Sequence, residues 1–71
     1  MNPQYSAVLL LIRKQLSMTQ EQLARELNVS FSTVNRWEKG HTTPSRLARE
    51  RIAAFCIENN VDSEIVKAVR R

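Results

Sequence analysis

The sequence is poor in the residues that break helices, bind metals or form disulfides. Its 71 residues include one glycine, two prolines, one cysteine and one histidine. A single glycine cannot build a glycine-rich phosphate loop, and His41 has no cysteine or second histidine at ligand spacing. We therefore expect no metal site and no cofactor. Cys56 has no partner for an intrachain disulfide, which favours a reducing compartment.

Long apolar segments are also missing. The longest, residues 7–12 and 52–57, have six residues each, whereas a membrane span needs about 20. The first residues lack the basic flank and the small-residue cleavage site of a signal peptide, so we expect a cytoplasmic protein. No Ser-His-Asp constellation is visible, and we expect no enzyme. The length fits one small domain over residues 1–71, with a core over about 6–59 and a last helix over about 61–70.

Positive charge is concentrated in the middle of the chain. Eleven Lys and Arg against seven Asp and Glu give a net charge of +4. Residues 13–51 hold eight of the basic side chains and four of the acidic ones, while residues 52–71 hold three of each. A polyanionic partner would meet the middle of the chain. The alternative is a solvated basic surface that only aids solubility.

Few helix breakers and many Leu, Ala, Arg, Glu and Gln predict an all-α fold. Five helices are expected over about residues 6–16, 19–27, 30–39, 45–59 and 62–69. Ser6 is the expected N-cap of the first helix, and a start at Asn2 with Pro3 in the first turn is the alternative. Either Thr43 or Ser45 caps the fourth helix. Its inner side is expected to carry Leu47, Ala48, Ile52, Phe55 and Cys56.

The second and third helices have clear boundary signals. Thr19 and Gln22 have the spacing of a capping box before the second helix. Ser30 is an N-cap for the third helix, and Gly40 is placed to end it in a left-handed conformation. Asn28 is suited to the same backbone region at the end of the second helix.

The short connection between these helices predicts a sharp crossing, as in a helix-turn-helix. Ala24 is small enough for the helices to touch, and Val29 supplies a buried residue after the turn. Val34 and Trp37, three residues apart, can seat the third helix on the second. On a helical projection Val34 and Trp37 point in one direction, and the opposite direction is polar. It holds Ser32, Asn35, Arg36 and Lys39.

Such a polar face suits the major groove, where Arg pairs with guanine and Asn with adenine. An ordinary solvated helix face is the alternative. The segment over residues 18–40 resembles the helix-turn-helix of the Cro/phage-repressor (XRE-type) family. The resemblance rests on Thr19-Gln20-x-x-Leu23-Ala24, Val29-Ser30-x-x-x-Val34, Trp37-Glu38-x-Gly40 and Pro44-Ser45. Asn28 departs from the glycine usual in the family, and asparagine tolerates the same conformation.

The resemblance implies a five-helix lambda-repressor-like domain whose third helix, residues 30–39, enters the major groove of double-stranded DNA. It implies that Ser32 and Arg36 contact bases, with Asn35 beside them. Gln20, Thr33, Lys39, His41, Thr42 and Thr43 would contact the backbone, and Gln20 could also reach a base. Phe31 would touch a thymine methyl or pack at the edge of the core, and we favour packing. Arg13 and Glu38 occupy positions of a structural ion pair.

The expected function is transcriptional regulation in a bacterium or a phage. An antitoxin that represses its own operon, the DNA-targeting module of a longer protein, and a helical protein-interaction module without DNA binding are the alternatives. Because one unit offers few base contacts, we also expect a homodimer. The apolar residues left for its interface are Val61, Ile65, Val66 and Val69. The alternative is that these residues cover the bottom of the chain's own core and that the chain is a monomer.

Overall fold

The structure is a computed structural model that describes residues 5–71, and within this range the chain forms five helices and no strand. They are α1 (Tyr5–Leu16), α2 (Gln20–Leu27), α3 (Phe31–Glu38), α4 (Arg46–Glu58) and α5 (Ser63–Arg70). The predicted all-α class is confirmed, and the bounds differ from the expected ones by one residue at most. Such differences are usual where a cap is counted as helix.

Side-chain caps start α2 and α3 where the sequence indicated, and of the two alternatives for α4 Ser45 is the cap. Thr19 and Gln22 form the capping box of α2, and the hydroxyls of Ser30 and Ser45 accept backbone N–H groups at the starts of α3 and α4. The N-cap expected at Ser6 is wrong, because α1 already includes Tyr5. The alternative start at Asn2 and Pro3 lies outside the described residues.

The core collects apolar side chains from every helix. Its larger members are Leu9, Ile12, Leu23, Leu27, Val34, Trp37, Ile52 and Phe55. Burial of a side chain of this size stabilises a fold by about 1.5–3 kcal/mol relative to exposure. Helix α3 packs on α1 and α2, so its position depends on both neighbours.

The last helix belongs to this core, which corrects the expected dimer surface. Helix α5 packs on α4 and α1, and Val61 and Val69 are buried in the core. Ile65 and Val66 are half-buried and pack against it. The dimer interface over all four residues requires a core that is complete with four helices, whereas Val61 and Val69 complete it. Two of the four expected interface residues instead cover the open end of that core.

Leu47 is a second correction, since its side chain is 68% exposed and does not face inward. It lies in the first turn of α4, one residue before half-buried Ala48. The inner side of α4 begins at Ala48 and continues through Ile52, Ala53 and Cys56. The sequence pattern was extended one residue too far toward the N-terminus.

Candidate nucleic-acid interface

The connection between α2 and α3 is a sharp three-residue turn. Asn28 adopts the left-handed conformation, with φ of 59°. The N–H groups of Asn28 and Val29 donate to the carbonyls of Arg25 and Ala24, at 3.2 and 3.0 Å. Ser30 then starts α3 by accepting the Thr33 N–H at 3.1 Å. This is the helix-turn-helix geometry expected from the sequence.

Helix α3 has one side fixed in the core and the other open to solvent. Val34 and Trp37 are buried, which fixes the orientation of the helix about its own axis. Trp37 is therefore a core residue and does not stack on a ligand. On the open side Ser32 and Arg36 are exposed and Asn35 is half-buried. Thr33 is half-buried in the first turn, and exposed Lys39 directly follows the helix.

Phe31 lies at the start of α3 and is 51% exposed. It borders a shallow surface groove together with Val29 and Arg25. Phe31 is not among the apolar side chains packed against the core, so its exposure does not support the favoured packing at the core edge. Val34 and Trp37 set the buried direction of α3, and Phe31 points away from it by roughly a quarter of a turn.

Three hydroxyl groups gather at the N-terminus of α3. The Ser30 hydroxyl lies 2.8 Å from that of Thr33 and 3.3 Å from that of Ser32. Free N–H groups and the helix dipole make this end of a helix favourable for a negative group. A DNA phosphate that approached α3 here would meet these hydroxyls.

The segment after α3 is exposed and held in place by backbone hydrogen bonds. Gly40 has φ of 77°, which a residue with a side chain rarely adopts. The His41 N–H donates to the Arg36 carbonyl at 3.0 Å. His41, Thr42 and Thr43 then lie on the surface until Pro44 is buried. All three residues thus lie on the surface directly after α3 in the chain.

An ion pair joins α1 to the end of α3. Arg13 donates from Nε to Glu38 Oε2 at 2.7 Å and from Nη2 to Oε1 at 2.8 Å. The two side chains are 19% and 8% exposed. Partial burial acts to raise the pKa of Glu38, but hydrogen bonds from Arg13 and Gln20 and the Arg13 charge outweigh it and hold that pKa below its usual value. Glu38 is thus a carboxylate at neutral pH.

Gln20 and Asn35 extend this ion pair toward the open side of α3. Gln20 Nε2 donates to Glu38 Oε1 at 2.9 Å, and Asn35 Nδ2 donates to Gln20 Oε1 at 3.1 Å. Sequence reasoning treated Gln20 and Asn35 as separate DNA contacts and missed this link. The available signal was the spacing of Asn35 and Glu38, since residues three apart share one side of a helix.

Part of the positive charge in the middle of the chain is used inside the fold. Arg49 lies 5.7 Å from the centre of the Tyr5 ring and donates to the Pro44 carbonyl at 3.0 Å. Arg51 donates to the Leu27 carbonyl at the end of α2, at 3.4 Å. Together with Arg13, these residues support the helices. Arg36 and Lys39 are exposed on α3, where a polyanion could meet them.

Cys56 lies in the core, and burial raises the pKa of its thiol to about 11. A thiol with so high a pKa is protonated at neutral pH, so it is a poor nucleophile. Cys56 thus fills space in the core, as its place on the apolar side of α4 indicated.

Comparison with known proteins identifies the family of the chain. A helix-turn-helix family model matches residues 9–56, from α1 to near the end of α4. The chain belongs to this helix-turn-helix family of the Cro/phage-repressor (XRE) type, a family of DNA-binding domains, and its five helices are consistent with a lambda-repressor-like fold. Searches of curated proteins and of solved structures found no significant match. None of the helices between residues 5 and 71 is long and apolar enough to cross a membrane.

Proposed function

We propose that the chain binds specific sequences of double-stranded DNA by placing the open side of α3 in the major groove. The observation that carries this proposal is the contrast between the two sides of α3. Val34 and Trp37 fix one side in the core, so the opposite side is held outward as a unit. A preorganised helix of this kind can meet base edges without a loss of order on binding.

The residues around α3 divide into base contacts and backbone contacts. Arg36 and Ser32, both exposed, are the proposed principal base contacts, with Asn35 beside them. Phe31 is exposed at the start of α3, which supports contact with a thymine methyl. The proposed contacts to phosphates are Gln20, Thr33, Lys39, His41, Thr42 and Thr43. Phosphate contacts position the domain and carry no sequence information of their own.

Transcriptional regulation in the cytoplasm of a bacterium, or of a phage-infected cell, is the proposed biological role. Residues 1–71 act as one DNA-binding unit in this proposal, without a catalytic function. The family to which the chain belongs and the arrangement of α2 and α3 support it.

A homodimer on DNA is part of the proposal, because a single helix of eight residues contacts few base pairs. Val61 and Val69 are excluded from the interface by their burial. Ile65 and Val66 remain partly exposed, and Leu47 is exposed at the start of α4. Sedimentation with and without DNA of the wild type, Ile65→Glu and Leu47→Glu distinguishes the two surfaces. The interface contains the residue whose substitution leaves the monomer folded but prevents two copies from binding one duplex.

Selection of bound sites from random duplexes tests the proposal as a whole. We expect one enriched motif, with two symmetric halves about one DNA turn apart. Affinity for the selected duplex must also fall steeply as salt rises, because phosphate contacts release counterions. Absence of any enriched motif, or binding that does not change with salt, would contradict sequence-specific recognition and favour a protein-interaction module.

A further inference from the structure

We propose that Glu38, acting through Gln20, fixes the direction of the Asn35 side-chain amide and so makes Asn35 select adenine. The proposal rests on the proposed function, since it concerns one base contact of α3 in the major groove. It goes further by assigning a base to one residue and a positioning role to two others.

The Glu38 carboxylate accepts hydrogen bonds from both Arg13 and Gln20. Glu38 receives two hydrogen bonds from Arg13, at 2.7 and 2.8 Å. An ionised carboxylate accepts hydrogen bonds and cannot donate them. The group of Gln20 that faces Glu38 Oε1 at 2.9 Å must therefore be the NH2 end of its amide, not the carbonyl. The Glu38 carboxylate thus decides which way the Gln20 amide points.

The same constraint passes from Gln20 to Asn35. With its NH2 end toward Glu38, Gln20 presents its carbonyl oxygen to Asn35, 3.1 Å away. A carbonyl oxygen also only accepts, so Asn35 must offer Nδ2. The Asn35 Oδ1 is then directed away from Gln20, and within residues 5–71 no hydrogen bond holds it. A flip of the Asn35 amide would place two oxygens against each other.

A fixed Oδ1 selects among bases by their major-groove edges. Adenine and cytosine present an amino donor there, while guanine and thymine present oxygen acceptors. Asn35 also keeps a second N–H on Nδ2, because only one is used by Gln20. Adenine alone combines the amino donor at N6 with an acceptor at N7, and so matches both groups. Asn35 is half-buried beside exposed Ser32 and Arg36, on the side of α3 that faces the groove in the proposed function.

The test measures binding of the 71-residue chain to four duplexes that differ at one base pair of the selected site. Asn35→Ala identifies that base pair as the one where preference is lost. The wild type should prefer adenine there by about tenfold over guanine or thymine. Gln20→Met keeps the size of the side chain and removes its hydrogen bonds, so the Asn35 amide can flip. We expect the preference to fall to about twofold.

Glu38→Gln provides the opposite perturbation. An amide at position 38 no longer only accepts: its oxygen can face either N–H of Arg13, and in one of these two orientations its NH2 faces Gln20 and reverses Gln20 and then Asn35. The preference for adenine should therefore weaken, with a gain for guanine or thymine that no purely structural role of Glu38 would require. Glu26→Gln removes the same charge from an exposed position of α2 and should leave the base preference unchanged. Circular dichroism checks that each variant is folded. If Glu38→Gln does not fold, Gln20→Met still tests the inference, because it leaves the ion pair between Arg13 and Glu38 intact.

Three results would overturn the inference while sequence-specific binding stays intact. If the wild type prefers guanine or thymine at the Asn35 base pair, the Asn35 amide points in the direction opposite to the one proposed. Equal weakening of all four duplexes by Gln20→Met, with the order of bases unchanged, makes Gln20 a backbone contact only. An Asn35→Ala variant that keeps every base preference removes Asn35 from recognition. If the wild type selects no motif at all, the proposed function fails with the inference.

Discussion

Asn35 on α3 donates to Gln20 on α2 at 3.1 Å, and so spans the turn between the two helices of the helix-turn-helix. Gln20 in turn donates to Glu38, which is bound by Arg13 of α1. Asn35, a proposed base contact, is thereby joined to an ion pair between the first and third helices. The stability of the fold and the geometry of the proposed DNA-binding surface depend on the same groups.

The first prediction concerns the ion pair. Arg13→Ala leaves the Glu38 carboxylate, 8% exposed, without its cationic partner. Loss of one partner of a buried pair destabilises by about 3–5 kcal/mol, and we expect the lower end because Arg13 is 19% exposed. The melting temperature should fall by about 10 °C or more. Thermal unfolding followed by circular dichroism measures the change.

Lys67 provides a matched control for that experiment. It forms an exposed ion pair with Glu64 on α5, at 3.5 Å. Exposed pairs contribute about 0–1 kcal/mol, so Lys67→Ala should change the melting temperature by a few degrees at most. Equal effects of the two substitutions would show that the pair between α1 and α3 is not a structural anchor.

The second prediction concerns acid. The pKa of Glu38 lies below its usual value of 4.5 in the folded chain. As pH falls, Glu38 is therefore protonated in the unfolded chain before it is protonated in the folded chain. The free energy of unfolding decreases from about pH 4.5 down to the lower pKa of the folded chain. Above about pH 4.5 the contribution of Glu38 to stability is complete. Urea unfolding between pH 7 and pH 3 should show this loss in the wild type.

Glu38→Gln cannot titrate at this position, so its stability should depend less on pH in the same range. The exposed Glu64→Gln serves as the control and should retain the wild-type pH dependence. A Glu38→Gln variant that loses stability with acid as steeply as the wild type would mean that other carboxylates carry the acid sensitivity.

The third prediction tests the place of α5. Val69 is buried in the core, whereas Val66 on the same helix is half-buried. Val69→Ala removes the equivalent of two methyl groups from the core and leaves a cavity, which should lower the free energy of unfolding by about 2 kcal/mol. Val66→Ala should have clearly less effect. Equal losses at the two positions, measured by urea unfolding of the monomer, would contradict the assignment of Val69 to the core.

Lys39 carries the fourth prediction. As an exposed cation at the end of α3, it should contact phosphate and not a base. Lys39→Ala should weaken binding to all duplexes alike and reduce the salt slope by about one unit. Lys67→Ala, on a helix that packs on α1 and α4, should leave the slope unchanged. A change of base preference in Lys39→Ala would assign Lys39 to sequence recognition.

Local signals made most of the fold predictable. The cap residues Thr19 and Ser30 and the left-handed positions Asn28 and Gly40 act within a few residues of themselves, so the sequence alone placed these helix ends. For α4 the sequence left Thr43 and Ser45 as alternatives, and Ser45 is the cap. The burial of Val61 and Val69 was not predictable in this way, because it depends on how far α1 and α4 leave the core open. The outward position of Leu47, by contrast, follows from the helix repeat, which places Leu47 about 140° around α4 from buried Ile52.

The candidate site was predictable as a set of residues but not as a network. A helical projection separates Ser32, Asn35, Arg36 and Lys39 from Val34 and Trp37, because that separation follows from the helix repeat. The contact of Gln20 with both Asn35 and Glu38 depends on the crossing of α2 and α3. A projection of one helix gives no distance between side chains of two different helices.

The most direct test of the central claim compares Arg36→Ala with the wild type on the selected duplex and on a random duplex. Arg36 is exposed on the open side of α3 and is the proposed principal base contact. Its removal should weaken binding to the selected duplex by about 1–3 kcal/mol, relax the preference at one base pair, and affect the random duplex much less. Equal weakening on both duplexes would contradict sequence recognition by α3.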